Sequence, residues 1–217
     1  MTPHNPDPQL RSGGFTLLEM AIVLLIVGLL LGGLLPTISS QIDLQRRNET
    51  RKYLEVVRDA LVGYAVVNGR LPCPDSNGDG TAEATCTTNP EQVGTLPYTD
   101  LGVVGTDAYG NVLVYAVTKE FAAATPFTLN TAGNLTICKA AAACIAPEDK
   151  WTTTAPAVLV SRGANAATAT SADEAENTDP NTTFISHDLV QNGYDDLVVW
   201  LSPNTLINRM VAAGKLP

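Results

Sequence analysis

A single carboxylate, Glu19, heads a stretch in which residues 20–40 carry no charged side chain. An ionised acid at the edge of so apolar a segment is costly to keep, which points to function and to a cation partner in a low-dielectric setting. A second set of oxygen ligands follows at alternate positions: Asp75, Asn77, Asp79, Thr81 and Glu83, with Gly78 and Gly80 between them. That spacing matches the front of a calcium loop, although Cys86 takes the twelfth position where a bidentate Glu belongs. The competing reading is a polar turn, because Asn-Gly and Asp-Gly dipeptides favour turns. Calcium at this loop is the one cofactor the sequence suggests.

Other chemistry-bearing residues are less organised. Asp195 and Asp196 stand together ahead of a predicted strand, where they could bind a cation or simply occupy a sheet edge. Ser186, His187 and Asp188 are the residue types of a hydrolytic triad, but neighbours in a strand point to opposite faces. Only His187 and His4 supply imidazoles, and His4 lies in the polar leader. No enzyme is expected. Trp151 and Trp200 suit a core or a domain surface better than a sugar platform.

The elements that must carry these residues follow from periodicity. Residues 20–40 are long enough to cross a bilayer as one helix. A cleavable secretory signal would have a basic front, a shorter apolar stretch and small residues behind it. Here Gly13 and Gly14 come before the apolar run, and Pro36 interrupts it, so the segment is expected to stay in the protein. Gly28, Gly32 and Gly33 would either admit a close neighbour or loosen the helix ahead of Pro36. From residue 37 the pattern turns amphipathic, with Ile38, Ile42, Tyr53, Val56, Val57, Ala60, Leu61, Tyr64 and Val67 at helical spacing. Asn68-Gly69 followed by Pro72 stops it. One continuous helix over 15–68 would be roughly 80 Å long.

Strands are predicted at 111–118, 157–161 and 196–201, with a hairpin formed by 127–130 and 134–138 around Thr131-Ala132-Gly133. Ser202-Pro203 reads as the N-cap and first residue of a short final helix ending before Gly214. Residues 163–183 show no periodicity and read as an exposed loop. The four cysteines form two close pairs, and an even count beyond a membrane segment reads as disulfides. Local pairing, Cys73–Cys86 and Cys138–Cys144, is the simplest of three connectivities. Zinc is the rival, but CxxC spacing and ligand histidines are missing. A net charge of −9 with 13 Lys and Arg leaves no basic stripe for nucleic acid. The basic residues that do cluster, Arg46, Arg47, Arg51 and Lys52, follow the apolar run, where they could meet lipid head groups.

The front of the chain, Gly13-Gly14-Phe15-Thr16-Leu17-Leu18-Glu19, resembles the signal of the type IV pilin and type II secretion pseudopilin families. The resemblance covers about the first 55 residues. It implies cleavage after Gly14 by a prepilin peptidase, methylation of the new N-terminal Phe15, and an assembly role for Glu19 as the fifth mature residue. Pro36 fits the place where helices of those families are interrupted. The implied division is a leader over 1–14, a transmembrane and filament-core helix over 15–36, its amphipathic continuation over 37–69, and a globular head over 70–217. The fold class is then α+β and pilin-like: a long N-terminal helix, transmembrane in its first half, packed on an antiparallel β-sheet. The implied function is a structural subunit of a pilus or secretion pseudopilus, with a minor pilin acting as an adhesion module as the alternative. Implied partners are the peptidase, other pilin-like subunits, an inner-membrane assembly platform and, before assembly, membrane lipid. The implied location is the inner membrane with a periplasmic head, then a cell-envelope or extracellular filament.

Overall fold

The computed structural model describes residues 14–88, 92–190 and 193–216, without the side chains of residues 31–39. The leader residues up to Gly13, among them Arg11 and His4, lie outside the described part. Helix α1 (Leu17–Asn68) continues through Pro36. The interruption expected at that proline does not end the helix, although the missing N–H removes one backbone hydrogen bond. The chain divides into two compact units between Leu44 and Gln45.

In the first unit the described apolar side chains are open, with Phe15 76%, Leu17 89% and Leu24 70% exposed. Among the described residues no helix is long and apolar enough to cross a membrane. The expected span, residues 15–36, includes residues 31–36, whose side chains lie outside the described part. The described apolar side chains of α1 stop at Leu30, so they cover only about 21 Å of a core roughly 30 Å thick.

In the second unit, α1 buries Leu54, Val57, Leu61 and Ala65, at spacings of three and four. This stripe differs from the expected one. Val56 and Val67 are 56% and 73% exposed, and Leu54 and Ala65 take the inward positions. The helix stops where expected: the Gly69 N–H donates to Ala65 O at 2.8 Å, and Gly69 adopts φ 75°.

Four antiparallel strands face this stripe in the order β1 (Val93–Thr95), β2 (Val114–Val117), β5 (Ala157–Ser161) and β7 (Leu197–Leu201). Alternation decides each face. Tyr115, Val117, Leu159 and Leu201 join the cluster with α1, whereas Ala116, Val158 and Val160 turn the other way. That second face packs on Leu135, Ile137, Ala155 and Phe184 of another sheet, ordered β4 (Lys150–Ala155), β3 (Leu135–Cys138) and β6 (Thr183–Ile185). The second unit is therefore layered helix on sheet on sheet, which makes the mixed α+β class right but the single sheet too few. The β3–β6 pairing is also parallel. The chain passes from one sheet to the other at Pro156, where the Thr118 hydroxyl donates to Ala155 O at 3.0 Å.

The hairpin expected over 127–138 does not form. Thr131 N–H donates to Thr128 O at 3.1 Å in a closed turn, and β3 pairs instead with β4 and β6. The short helices are α2 (Tyr98–Leu101), α3 (Lys119–Ala122), α4 (Ala172–Thr178) and α5 (Pro203–Ala212). Residues 163–183 are thus no open loop, since they contain α4 with Glu174 and Asn177 buried. Disulfides join Cys73 to Cys86 and Cys138 to Cys144, with Cα separations of 5.6 and 5.5 Å.

The rotated stripe gives a direct test. Leu61→Ala is expected to lower stability by about 2–5 kcal/mol, and Val67→Ala by less than about 0.5 kcal/mol, in urea unfolding. Equal losses would place both residues in the core.

Candidate functional site

The N-terminus of α1 is built from four residues. Glu19 N–H donates to the Thr16 hydroxyl oxygen at 3.2 Å, while the Thr16 N–H and hydroxyl both reach the Glu19 carboxylate at 3.3 Å. This is a reciprocal capping box, which satisfies two of the amides a helix leaves open at its start. The Thr-x-x-Glu spacing of this cap is a local sequence signal for a helix start. Gly14 and Phe15 precede the cap in non-helical, exposed chain, with nothing within 4 Å of where a Gly14 side chain would project. Among the described residues the Gly14–Phe15 bond is open, and the carboxylate of Glu19 stands one turn behind it.

The Asp75 loop is closed off by the Cys73–Cys86 bridge. Asp75 is 1% exposed, and its carboxylate accepts the N–H groups of Asn77, Gly78 and Gly80 at 3.0, 2.7 and 2.8 Å. Asn77 accepts from Asp79 N–H, and Asp79 accepts from the Thr81 N–H and hydroxyl. Those bonds to Thr81 hold the Asp79 carboxyl below its ordinary value. Glu83 turns to Ser76 at 2.7 Å. The five expected calcium ligands thus sit on one loop, where Asp75, Asn77, Asp79 and Glu83 accept from the loop's own donors and the Thr81 hydroxyl donates to Asp79.

A different acidic group gathers around the end of β5. Glu174 of α4 and Asp195 and Asp196, just before β7, each offer an oxygen within 4.8 Å of the others. Glu174 and Asp196 are 2% and 3% exposed. Burial pushes the Asp196 carboxyl up to about 7, with the Glu174 and Asp195 charges adding to the rise and the Asn177 hydrogen bond and Arg162 opposing it. Burial likewise raises Asp195, against the amide of Ala164 and the nearby Arg47. Burial also acts to raise Glu174, yet hydrogen bonds from Thr170, Asn165 and the Asp195 amide outweigh it and leave that carboxyl lowered. Arg47 of α1 donates to Asp195 O at 2.7 Å, and Oδ1 of Asp195 is buried without a hydrogen-bond partner. These three oxygens could hold a hard divalent cation. The sequence pairs Asp195 with Asp196 only; Glu174, twenty-one residues earlier, joins them through the fold.

His187 lies beside this group. Its Nε2 is 3.1 Å from Asp173 Oδ2, its Nδ1 is 2.8 Å from Asp188 O, and its ring stacks on Tyr194 at 3.9 Å. Both ring nitrogens are therefore committed to the scaffold. Trp151 is 55% exposed, with its indole N–H donating to Ser186 O at 2.8 Å, and Trp200 packs against the core between the sheets.

Residues 10–35 match the family model described as the prokaryotic N-terminal methylation motif. Over those residues the chain carries the type IV pilin and pseudopilin signal. The motif implies processing by a prepilin peptidase, membrane insertion and assembly with other pilins. No curated protein and no solved structure matches the chain.

Because folding raises Asp196 from 3.8 to about 7, the native state binds this proton more tightly than the unfolded chain. That contribution is complete at acid pH and is lost as pH rises between those values. Asp196→Asn is expected to match the wild type near pH 4 and to exceed it near pH 8, by on the order of 2–4 kcal/mol, in urea unfolding at both pH values. Parallel pH profiles for the two proteins would reject the buried-acid account.

Proposed function

We propose that this chain is a prepilin-like structural subunit of a type IV pilus or type II secretion pseudopilus. It is cleaved after Gly14 and assembled through its apolar N-terminal helix. The observation that carries the reading is the exposed Gly14–Phe15 bond set directly before a helix capped by Thr16 and Glu19, whose following apolar side chains are open. The family signal over residues 10–35 supports it.

The chemistry proceeds in order. Cleavage turns the Phe15 amide into a cationic amine next to the capping box. The carboxylate of Glu19, on the same chain or on a neighbour, neutralises that amine more strongly as water is excluded. The open apolar face of α1 then exchanges lipid for the helices of sister subunits, where small residues such as Gly28 allow close approach. The two disulfides suit a head held in an oxidising compartment outside the inner membrane. Partners are the peptidase, an inner-membrane assembly platform and the sister subunits.

Two substitutions separate the steps. Gly14→Ala is expected to leave the full-length precursor, whereas Glu19→Ala yields a normal, methylated Phe15 terminus but no filament. Intact-mass analysis of the membrane fraction reads cleavage and methylation, and the sheared extracellular fraction reads assembly. Filaments of ordinary length from the Glu19→Ala protein would sink the assembly role.

A further inference from the structure

The charges of this chain are segregated. Residues 43–52 hold four cations, Arg46, Arg47, Arg51 and Lys52, against the two acids Asp43 and Glu49, while the chain as a whole carries −9. Arg47 is spoken for by the Asp195 carbonyl. Arg46 lies exposed over the Tyr109 ring at 5.9 Å, and Arg51 and Lys52 are exposed and make no ion pair among the described residues. The nearest acids further along α1 are already matched: Arg58 pairs with Glu55 at 2.5 Å and with Asp59 at 3.8 Å. Glu49 accepts from Gln45 at 3.2 Å. What remains is a small outward-facing cationic patch on an otherwise acidic protein.

Its place in the chain identifies the partner. Arg46 comes six residues after Ser40, the last residue of the uncharged run. Six residues reach at most about 20 Å in any conformation, and the twelve to Lys52 at most about 40 Å, so an apolar run stored in a bilayer keeps Arg46 near the head-group layer and the rest of the patch within reach of it. We propose that Arg46, Arg51 and Lys52 form a collar that binds the head groups of anionic phospholipids while the subunit is stored in the membrane. The proposal rests on the prepilin reading and gives the stored subunit its lipid partner. Each basic residue near an anionic surface favours association about fivefold, and the net negative charge elsewhere is repelled by the same surface. The collar therefore holds one end of the head down and turns the acidic remainder away. The contact is electrostatic and reversible, as a subunit that must later leave the bilayer requires.

The test uses the full chain reconstituted into nanodiscs of phosphatidylcholine alone or of phosphatidylcholine mixed with phosphatidylglycerol. Native mass spectrometry reads the lipids retained on release. The wild type is expected to keep phosphatidylglycerol in excess over its share of the disc, and the excess to fall with added sodium chloride. The double variant Arg51→Gln/Lys52→Gln, altered only at exposed positions, is expected to lose that preference by about tenfold or more. Retention in proportion to the disc composition, or an unchanged preference in the double variant, overturns the collar. So does a variant whose loss is of contact between copies in phosphatidylcholine alone, which would assign the patch to a second subunit. Failure of the wild type to insert into either disc overturns the membrane-stored reading itself, and is distinguishable from insertion without lipid preference.

Discussion

Strand β5 is buried along all five of its residues, Ala157–Ser161, and both of its faces are in use. Leu159 is shared with the α1 stripe, while Val158 and Val160 belong to the core between the sheets. A strand in this position cannot slip by one residue without exchanging the two cores. Its pairings with β2 and β7 fix the register of the four-stranded sheet. Where it ends, it also places the polar groups. Ser161 donates to Asp107 at 2.6 Å, Gly163 O accepts from Asn111 at 2.6 Å, and Ala164 N–H donates to Asp195 at 2.8 Å. The acidic group is thus assembled by the termination of the most constrained strand.

That arrangement sets competing terms against one another. Burying carboxyls near each other favours their protonated forms, and the raised Asp195 and Asp196 record this. Asn177 answers part of the cost, giving one amide hydrogen to Asp196 at 2.8 Å and accepting from Ile185 N–H at 2.7 Å. Glu174 escapes the trend because four donors surround it, which shows local hydrogen bonding winning over burial at one acid and losing at its neighbours. Arg47 brings α1 into the same network through a carbonyl rather than a carboxylate. The stem of the helix is therefore tied to the head without forming a buried ion pair, whose desolvation would have been harder to offset.

Local chemistry was legible in the sequence and long-range pairing was not. The N-terminal methylation motif is contiguous, so it could be recognised without any knowledge of the fold. The stop at Asn68-Gly69, the apolar strand over 157–161 and the Ser202-Pro203 start of α5 are similarly local, and all three appear. Strand β4, Lys-Trp-Thr-Thr-Thr-Ala, is mostly exposed and shows little apolar pattern; its partner β3 makes it a strand. Strand β6 has three residues and owes its form to parallel pairing with β3. The mistaken hairpin has the same cause, because β3 finds better partners than the nearby 127–130 segment. Helix α4 did announce itself through Ser171 and Glu174, spaced as cap and third residue, with Glu174 N–H on the Ser171 hydroxyl at 3.2 Å. Its Ala, Thr and Asn surroundings hid that signal.

In the proposed subunit the same cap spacing at Thr16 and Glu19 would let one acid serve two states. A helix start placed in an apolar setting leaves amides that water cannot satisfy. Before cleavage, Glu19 accepts the Thr16 N–H and hydroxyl, and Thr16 returns the favour to the Glu19 amide, so the helix needs no neighbour to begin. In the proposed subunit, cutting at Gly14 would then supply a cation at Phe15 beside a carboxylate whose position the cap has already fixed. An alanine at Glu19 would still allow helix and cut, but would leave that amine without a counter-charge wherever water is excluded. The charge that sets this acid apart and the hydrogen bonds that cap the helix thus belong to one side chain, and in the proposed subunit cleavage would decide which role dominates.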